Sequence, residues 1–201
     1  MPTITAIKQQ VKRAGRYSVY VDGTFAFGLS EGGLIESRLA SGQELTAAEL
    51  RKLKKDAGLD KAYGNALRYV AMRPRSEGEL HDYFRRKDVD EAAGKYIIKR
   101  LKDLRLLSDV EFAKSWVASR RLLKTTSKRR LILELKQKRV SEEVIQEVLQ
   151  EDTTDERESI QKLIEKKRKR YPDDQKLLQY LARQGFNYDD ITFVLRQRIT
   201  D

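Results

Sequence analysis

The chain has 201 residues, of which 39% are hydrophobic and 36% charged, with a net charge of +11. This length allows one large domain or a few small ones, and the charge makes a polyanionic partner plausible. Without Cys the chain forms neither disulfides nor thiolate metal sites. No apolar run is long enough for a membrane span, and no signal-peptide pattern follows Met1. We therefore expect a cytoplasmic protein.

The first thirty residues differ from the rest because their apolar side chains alternate. Tyr17, Val19 and Val21 are separated by single residues, which is the period of a strand. The Asp-Gly pair at 22–23 favours a two-residue hairpin turn, and an earlier apolar run covers residues 4–11. These features predict a three-stranded antiparallel β-meander, which we expect to pack on the helices that follow.

From Ser30 onward the chain has the pattern of helices. Four hydroxyl residues stand three positions before a Glu, which is the spacing of a helix capping box. These pairs are Thr46 and Glu49, Ser76 and Glu79, Ser108 and Glu111, and Thr153 and Glu156. Pro74 and Pro172 also lie at positions that suit helix boundaries.

One apolar pattern occurs three times, at intervals of roughly fifty residues, which indicates a repeated supersecondary unit. It consists of a Leu, a Leu or Phe, a Val or Phe, a capping residue and a further apolar residue, always at the same offsets. The copies are Leu80, Phe84, Val89, Asp90 and Ile97; Leu131, Leu135, Val140, Ser141 and Val148; and Leu177, Leu181, Phe186, Asn187 and Val194. Apolar residues three to four positions apart divide each copy into three short helices.

These observations predict a mainly α-helical protein, in which three tandem three-helix repeats form an elongated array after an N-terminal antiparallel β-meander. The predicted segments are 1–58 for the meander and short helices, and 59–109, 110–152 and 153–201 for the repeats. An array buries its core between neighbouring units and presents a long surface, which suits an extended partner better than a small substrate.

No residues form the pattern of a catalytic, metal or cofactor site. With His81 as the single His and no Cys, a thiol nucleophile and the common zinc ligand sets are absent. No Gly-rich loop precedes a Lys-Ser or Lys-Thr pair. Most carboxylates fall in the first turns of predicted helices, where the helix dipole favours them. We therefore expect a non-enzymatic protein without a cofactor or metal.

Basic residues are concentrated where the first two helices of each repeat join. Such an edge, recurring once per repeat, would follow a phosphate backbone, although charge runs can also be simple solvated helix faces. The candidate nucleic-acid- or filament-binding residues are Arg73, Arg75, Lys114, Arg120, Arg121, Lys124, Lys128, Arg129, Arg130, Lys166, Lys167, Arg168, Lys169 and Arg170. Trp116 and Tyr171 could stack on bases, but the spacing of Trp116 from Phe112 favours a core position.

Two further expectations follow from these basic residues. As surface residues, Arg120, Arg121, Lys128, Arg129 and Arg130 should tolerate replacement by Ala with folding intact, while binding weakens and its salt dependence falls. Sequence-specific duplex binding is disfavoured, because the third helix of each repeat begins with carboxylates where a recognition helix would meet DNA. These acids are Glu91, Glu142, Glu143, Asp189 and Asp190.

Several segments resemble RecX proteins, the bacterial regulators of the RecA recombinase. The resemblance is carried by ALRYVAMRPRSEGEL at 66–80, RLKDLRLLSD at 100–109, FAKSWV at 112–117 and LQYLARQGF at 178–186. It covers the chain from Tyr63 to the end, and residues 16–23 resemble the N-terminal extension of some members. One departure is Asp88, at a position where the family usually has Gly. This difference could alter the end of the helix there.

The resemblance implies three tandem three-helix repeats, no enzymatic activity, and binding in the groove of a RecA–DNA filament. It further implies inhibition of ATP hydrolysis, strand exchange and RecA-promoted cleavage of the SOS repressor. The expected partners are therefore the RecA filament and single- and double-stranded DNA, and we expect a monomer. The competing hypothesis is an autonomous DNA-binding protein that acts by competition for single- or double-stranded DNA.

Overall fold

The computed structural model describes the backbone of residues 1–200 and the side chains of residues 1–197. It divides into two compact units, one comprising residues 1–73 and 84–106, the other residues 74–83 and the chain from 107 onward. The described residues form three strands and ten helices, which confirms the predicted mainly helical class with an N-terminal sheet. Asp201, the last residue of the predicted third repeat, lies outside the described residues.

The three strands form an antiparallel sheet in chain order, as predicted. They are β1 (Ile4–Gln9), β2 (Arg16–Val21) and β3 (Thr24–Ser30). Asp22 and Gly23 connect β2 to β3 with φ angles of 49° and 78°, the positive values that a type I′ hairpin turn requires. β1 stops short of the predicted limit at Val11, which lies in the turn after the strand and is fully exposed.

The first unit packs the sheet against a long helix. Its helices are α1 (Glu31–Ser37), α2 (Ala47–Ala71) and α4 (Glu91–Asp103). On α2, Asp60 accepts a 2.8 Å hydrogen bond from the amide of Ser30 and lies 3.6 Å from the guanidinium of Arg16. One carboxylate thus ties the sheet to α2. The predicted segment limit between residues 58 and 59 falls inside α2, and the segment limits stay a prediction.

The second unit contains the remaining helices and two separate apolar cores. α3 (Glu77–Arg86) contributes its residues through Tyr83 to this unit. One core joins α5 (Asp109–Lys124), α6 (Lys128–Gln137) and α7 (Glu142–Glu151), and the other joins α8 (Glu156–Lys167), α9 (Asp174–Arg183) and α10 (Tyr188–Thr200). Each core belongs to one set of three helices, which confirms tandem three-helix units. Within the described residues, no helix is both long and apolar enough to cross a membrane.

The repeated apolar pattern corresponds to one helix ending that occurs three times. α3, α6 and α9 each end two residues before a left-handed residue, namely Asp88 (φ 52°), Arg139 (φ 57°) and Gly185 (φ 92°). The next amide, of Val89, Val140 or Phe186, donates to the carbonyl of Phe84, Leu135 or Leu181 at 3.1, 3.2 and 3.3 Å. This six-to-one bond with an apolar residue after the left-handed position is the Schellman motif. The motif therefore explains the constant offset between the second and third members of the pattern.

Asp88 does not change this ending, although the family usually has Gly there. It takes the left-handed conformation and is followed by the same hydrogen bond as in the other repeats. Asp tolerates that conformation better than most residues, because its short side chain can bond locally. The departure in sequence is therefore absorbed without a change in structure.

Three of the four predicted helix caps are confirmed. The side chains of Thr46, Ser76 and Ser108 accept from the amide three residues further on. The fourth is wrong, because α8 is capped by Asp155 rather than by Thr153. The carboxylate of Glu156, the expected partner of Thr153, accepts instead from the amide of Lys128 at 2.8 Å.

Two fully buried serines connect consecutive repeats within the second unit. Ser76, just before α3, donates its hydroxyl to the carbonyl of Lys138 at the end of α6, at 2.8 Å. Ser127, just before α6, donates to the carbonyl of Gln184 at the end of α9, at 2.7 Å. The approach is so close that a Cβ on Gly78 would lie 2.6 Å from the Lys138 carbonyl oxygen.

A carboxylate from the following repeat completes each of these two junctions. Asp109, the first residue of α5, accepts from the amide of Glu77 at 2.8 Å, and Glu156, the first residue of α8, does the same for Lys128. Both junctions therefore use the same pair of hydrogen bonds between repeats. α9 begins differently, because its cap is Asp173, whose carboxylate accepts from the amides of Gln175 and Lys176.

We predict that Ser127→Ala lowers the free energy of unfolding by about 1–2 kcal/mol, because it removes a helix cap and leaves the partly buried Gln184 carbonyl without its donor. Urea unfolding followed by circular dichroism measures this change. Ser119→Ala, at an exposed position of α5, is the matched control and should change stability little. Equal midpoints for the two variants would contradict the role given to Ser127.

Candidate functional site

The second and third repeats enclose a groove where they join. It consists of two hollows of about 430 and 260 Å³ that share Arg130, Glu134 and Gln184. The larger hollow is lined by α6 and α9, and the smaller by the end of α5, the α5–α6 connection, α8 and α9. We call these two hollows together the junction groove.

The junction groove is strongly cationic. Six Lys or Arg side chains and one carboxylate, that of Glu134, line its two hollows. The six are Lys124, Arg129, Arg130, Lys166, Lys167 and Arg183. Two basic segments that are far apart in sequence, 124–130 and 166–167, thus meet at one place. The structure places five of the fourteen predicted binding residues in this groove.

The negative charge of the single carboxylate of the groove is balanced by neighbouring cations. Glu134 accepts from Arg120 Nε at 2.6 Å and from Trp116 Nε1 at 2.9 Å, and it lies 3.6 Å from Arg130 Nε. Burial raises the pKa of Glu134, but these hydrogen bonds and positive charges outweigh burial, so its pKa lies below the ordinary value. Glu134 therefore remains ionised at neutral pH and offsets Arg120 and Arg130, leaving the other cations uncompensated.

Four cations of the groove are exposed and have no carboxylate partner among the described residues. They are Lys124, Arg129, Lys166 and Arg183. Lys167 is half-buried, with its ammonium 6.0 Å from the centre of the Tyr180 ring. The exposed Lys128 side chain lies beside this set in the first turn of α6, outside the groove lining. These side chains are available to an external anion.

Arg121, in contrast, is largely buried and paired with carboxylates, so its role is in the stability of the fold. Its side chain is 11% exposed and contacts the carboxylates of Asp152 at 2.6 Å and Glu156 at 3.2 Å, as well as the carbonyl of Thr126. Burial raises the pKa of Asp152, but hydrogen bonds from Thr154 and Arg121 outweigh it and hold that pKa below its ordinary value. The premise that Arg121 is a surface residue is therefore wrong, and we expect its loss to leave the buried carboxylate of Asp152 without its guanidinium partner.

The remaining predicted residues lie outside the groove lining. Lys114 pairs with Glu151 at 2.8 Å, and Arg168 pairs with Asp174. Arg120 bonds Glu134 from behind the groove, with its guanidinium 4.2 Å from the centre of the Trp116 ring. Lys169 is exposed, and Arg170 lies 5.7 Å from the Tyr171 ring. Arg73 and Arg75 belong to different units.

Arg183 was missed by the sequence pattern. It stands alone in the last turn of α9, outside every basic run, and lines the groove next to Gln184, whose carbonyl accepts from Ser127. Gln184 holds the same position in the ending of α9 as Lys138 does in that of α6. Aligning these two endings in the sequence would have placed Arg183 directly before the residue that contacts the serine. Trp116 is half-buried against the core of the second repeat, which confirms its predicted core position.

We predict that Arg121→Ala lowers the free energy of unfolding by about 3 kcal/mol, because it breaks a buried ion pair from one side. Arg129→Ala, which removes the same side chain from an exposed position, should change stability by less than about 0.5 kcal/mol. Urea unfolding of both variants measures the difference. If Arg121→Ala lowered the free energy of unfolding as little as Arg129→Ala is expected to, Arg121 would be an ordinary surface residue.

Comparison with known proteins gives the same organisation along the chain. The model of the regulatory protein RecX N-terminal domain matches residues 2–46. The models of the first, second and third three-helix domains of RecX match residues 62–101, 108–149 and 155–195. Four consecutive matches in this order account for most of the chain.

Whole-chain relatives agree with these matches. The regulatory protein RecX of Leuconostoc citreum is 34% identical over 97% of this chain and 76% of its own length. That of Bacillus velezensis is 29% identical over 98% of this chain and 78% of its own length. A crystal structure of regulatory protein RecX superposes with a TM-score of 0.78 at 28% identity, covering 98% of this chain and all of the other. Relatives are named as regulatory proteins, which confirms a non-enzymatic class, and the chain belongs to the RecX family.

Proposed function

We propose that this protein binds RecA–DNA filaments and inhibits the recombinase, reducing ATP hydrolysis, strand exchange and RecA-promoted cleavage of the SOS repressor. In this way it would modulate DNA repair and recombination in the cytoplasm, acting as a monomer. The observation that carries the proposal is the junction groove, which six cations line together with one ion-paired carboxylate. Membership of the RecX family supports RecA as the protein partner.

A repeated fold suits the inhibition of a repeating target. Each three-helix unit ends its middle helix in the same way, so units of similar backbone structure recur along the chain. Once one unit is bound, the others act at a high local concentration, and several weak contacts give tight overall binding. Such binding requires no catalytic group and would resist the rearrangements that a recombinase filament undergoes.

A second candidate function is DNA binding without any contact to RecA. The net charge of +11 and the cations of the junction groove favour this alternative as well. It would make inhibition a consequence of competition for single- or double-stranded DNA, and binding to bare DNA would then fall steeply with salt.

The two candidates differ in the concentration at which inhibition begins. We expect this protein to reduce ATP hydrolysis by RecA on single-stranded DNA at concentrations that leave bare DNA unbound in the same salt. Matched titrations of RecA ATPase and of DNA binding by fluorescence anisotropy measure the two midpoints. Inhibition that begins only when bare DNA is occupied would replace the first function by the second.

A further inference from the structure

We propose that the junction groove binds the phosphate backbone of single-stranded DNA through Lys124, Arg129, Lys166 and Arg183, without regard to base sequence. The inference rests on the proposed function and assigns a specific part of the protein to the DNA. It separates the cations that bind DNA from those that hold the fold together. The remaining predicted residues would then contribute to binding indirectly, or to stability.

The positions of the four cations support a built site. Lys124 ends α5, Arg129 lies in the first turn of α6, Lys166 in the last turn of α8 and Arg183 in the last turn of α9. Four helices from two repeats thus converge on one groove. Because each cation has a different origin in sequence, their meeting depends on the junction at Ser127.

The charge of α6 points to a ligand rather than to stability. Among the helices of residues 1–200, α6 is the only one without an acidic residue in its first turn. It has Lys128, Arg129 and Arg130 there instead, where the helix dipole disfavours each cation. The carboxylate of Glu156 already accepts from the Lys128 amide there, and a bound phosphate would add the further negative charge that three cations at a helix N-terminus favour.

The lining favours a single strand over a duplex. The ring of Tyr180 lines the smaller hollow and stacks on Tyr171 with ring centres 5.0 Å apart. Leu123 and Leu133, both exposed, line the two hollows. An aromatic ring beside cations can stack on an unpaired base of any sequence, whereas the bases of a duplex are already stacked on one another.

The hollow of the first unit provides a contrast. It measures about 530 Å³ and is lined by four carboxylates and two cations. The carboxylates are Glu36, Glu49, Asp56 and Asp60, and the cations are Lys52 and Arg100. Its charge disfavours a polyanion, so this hollow differs in sign from the junction groove, which suits DNA better.

The test removes the four groove cations together, as Lys124→Gln, Arg129→Gln, Lys166→Gln and Arg183→Gln. Binding to a fluorescently labelled oligothymidylate is followed by anisotropy over a range of salt concentrations. We expect affinity to fall at least tenfold, and the slope of log K against log salt to become shallower by about 3, since each phosphate contact on a single strand contributes roughly 0.7. Urea unfolding should remain close to that of the unmodified protein.

A matched control removes the same charge elsewhere, as Lys12→Gln, Arg13→Gln, Lys54→Gln and Lys55→Gln, all at exposed positions. An equal loss of affinity in the two variants would overturn the groove assignment, because net charge alone would then explain binding. So would a groove variant that binds as the unmodified protein does. If the groove variant unfolds early, the pair Arg129→Gln and Arg183→Gln should still reduce the slope by about half as much.

Two further arms separate this inference from its alternatives. A duplex that competes for the groove as well as oligothymidylate does would overturn the assignment to a single strand. RecA ATPase inhibition is then measured with both variants. If the unmodified protein binds oligothymidylate through the groove yet leaves RecA active, the inference stands and the proposed function fails.

Discussion

The buried serine hydroxyl is the contact on which the second unit depends. Ser76 and Ser127 each accept from an amide of their own helix and donate to a carbonyl at the end of a helix in the next repeat. A hydroxyl can do both because it is at once donor and acceptor. The contact thus fixes the start of one helix against the end of another to within a hydrogen-bond length. Apolar packing alone is not directional and would allow these helices to slide.

The junction groove is a consequence of this constraint. With Ser127 bonded to Gln184, the cationic first turn of α6 lies against the last turn of α9, and Arg129 and Arg183 line the same hollow. Glu156 contributes to the same junction twice, through the amide of Lys128 and the guanidinium of Arg121. Some of the basic residues of this region therefore build the groove, and others are left to face its interior.

The elements encoded by neighbouring residues could be predicted from the sequence. Two kinds of element depend on bonds between residues at most five positions apart: the turn at Asp22 and Gly23 and the three helix endings. Such elements can be recognised from short patterns in the sequence. What could not be predicted depends on contacts between residues far apart in the sequence, such as that of Asp152 with Arg121. Charge density identified the basic region but could not distinguish a buried guanidinium from an exposed one. The same limit explains the incorrect prediction of a cap at Thr153, since the carboxylate of Glu156 bonds to the amide of Lys128 in another repeat.

The residue before α9 bears on whether a further repeat could follow the third one. Where the preceding repeats have a serine before the middle helix, the third has Asp173, whose carboxylate is an acceptor only. Facing the carbonyl oxygen of a further helix end, it would meet another acceptor and repel it. Duplicating the second repeat would therefore create a unit that can stack on its neighbour, while duplicating the third would not. The chemistry of one side chain thus decides which unit of this family architecture can be copied to make a longer protein.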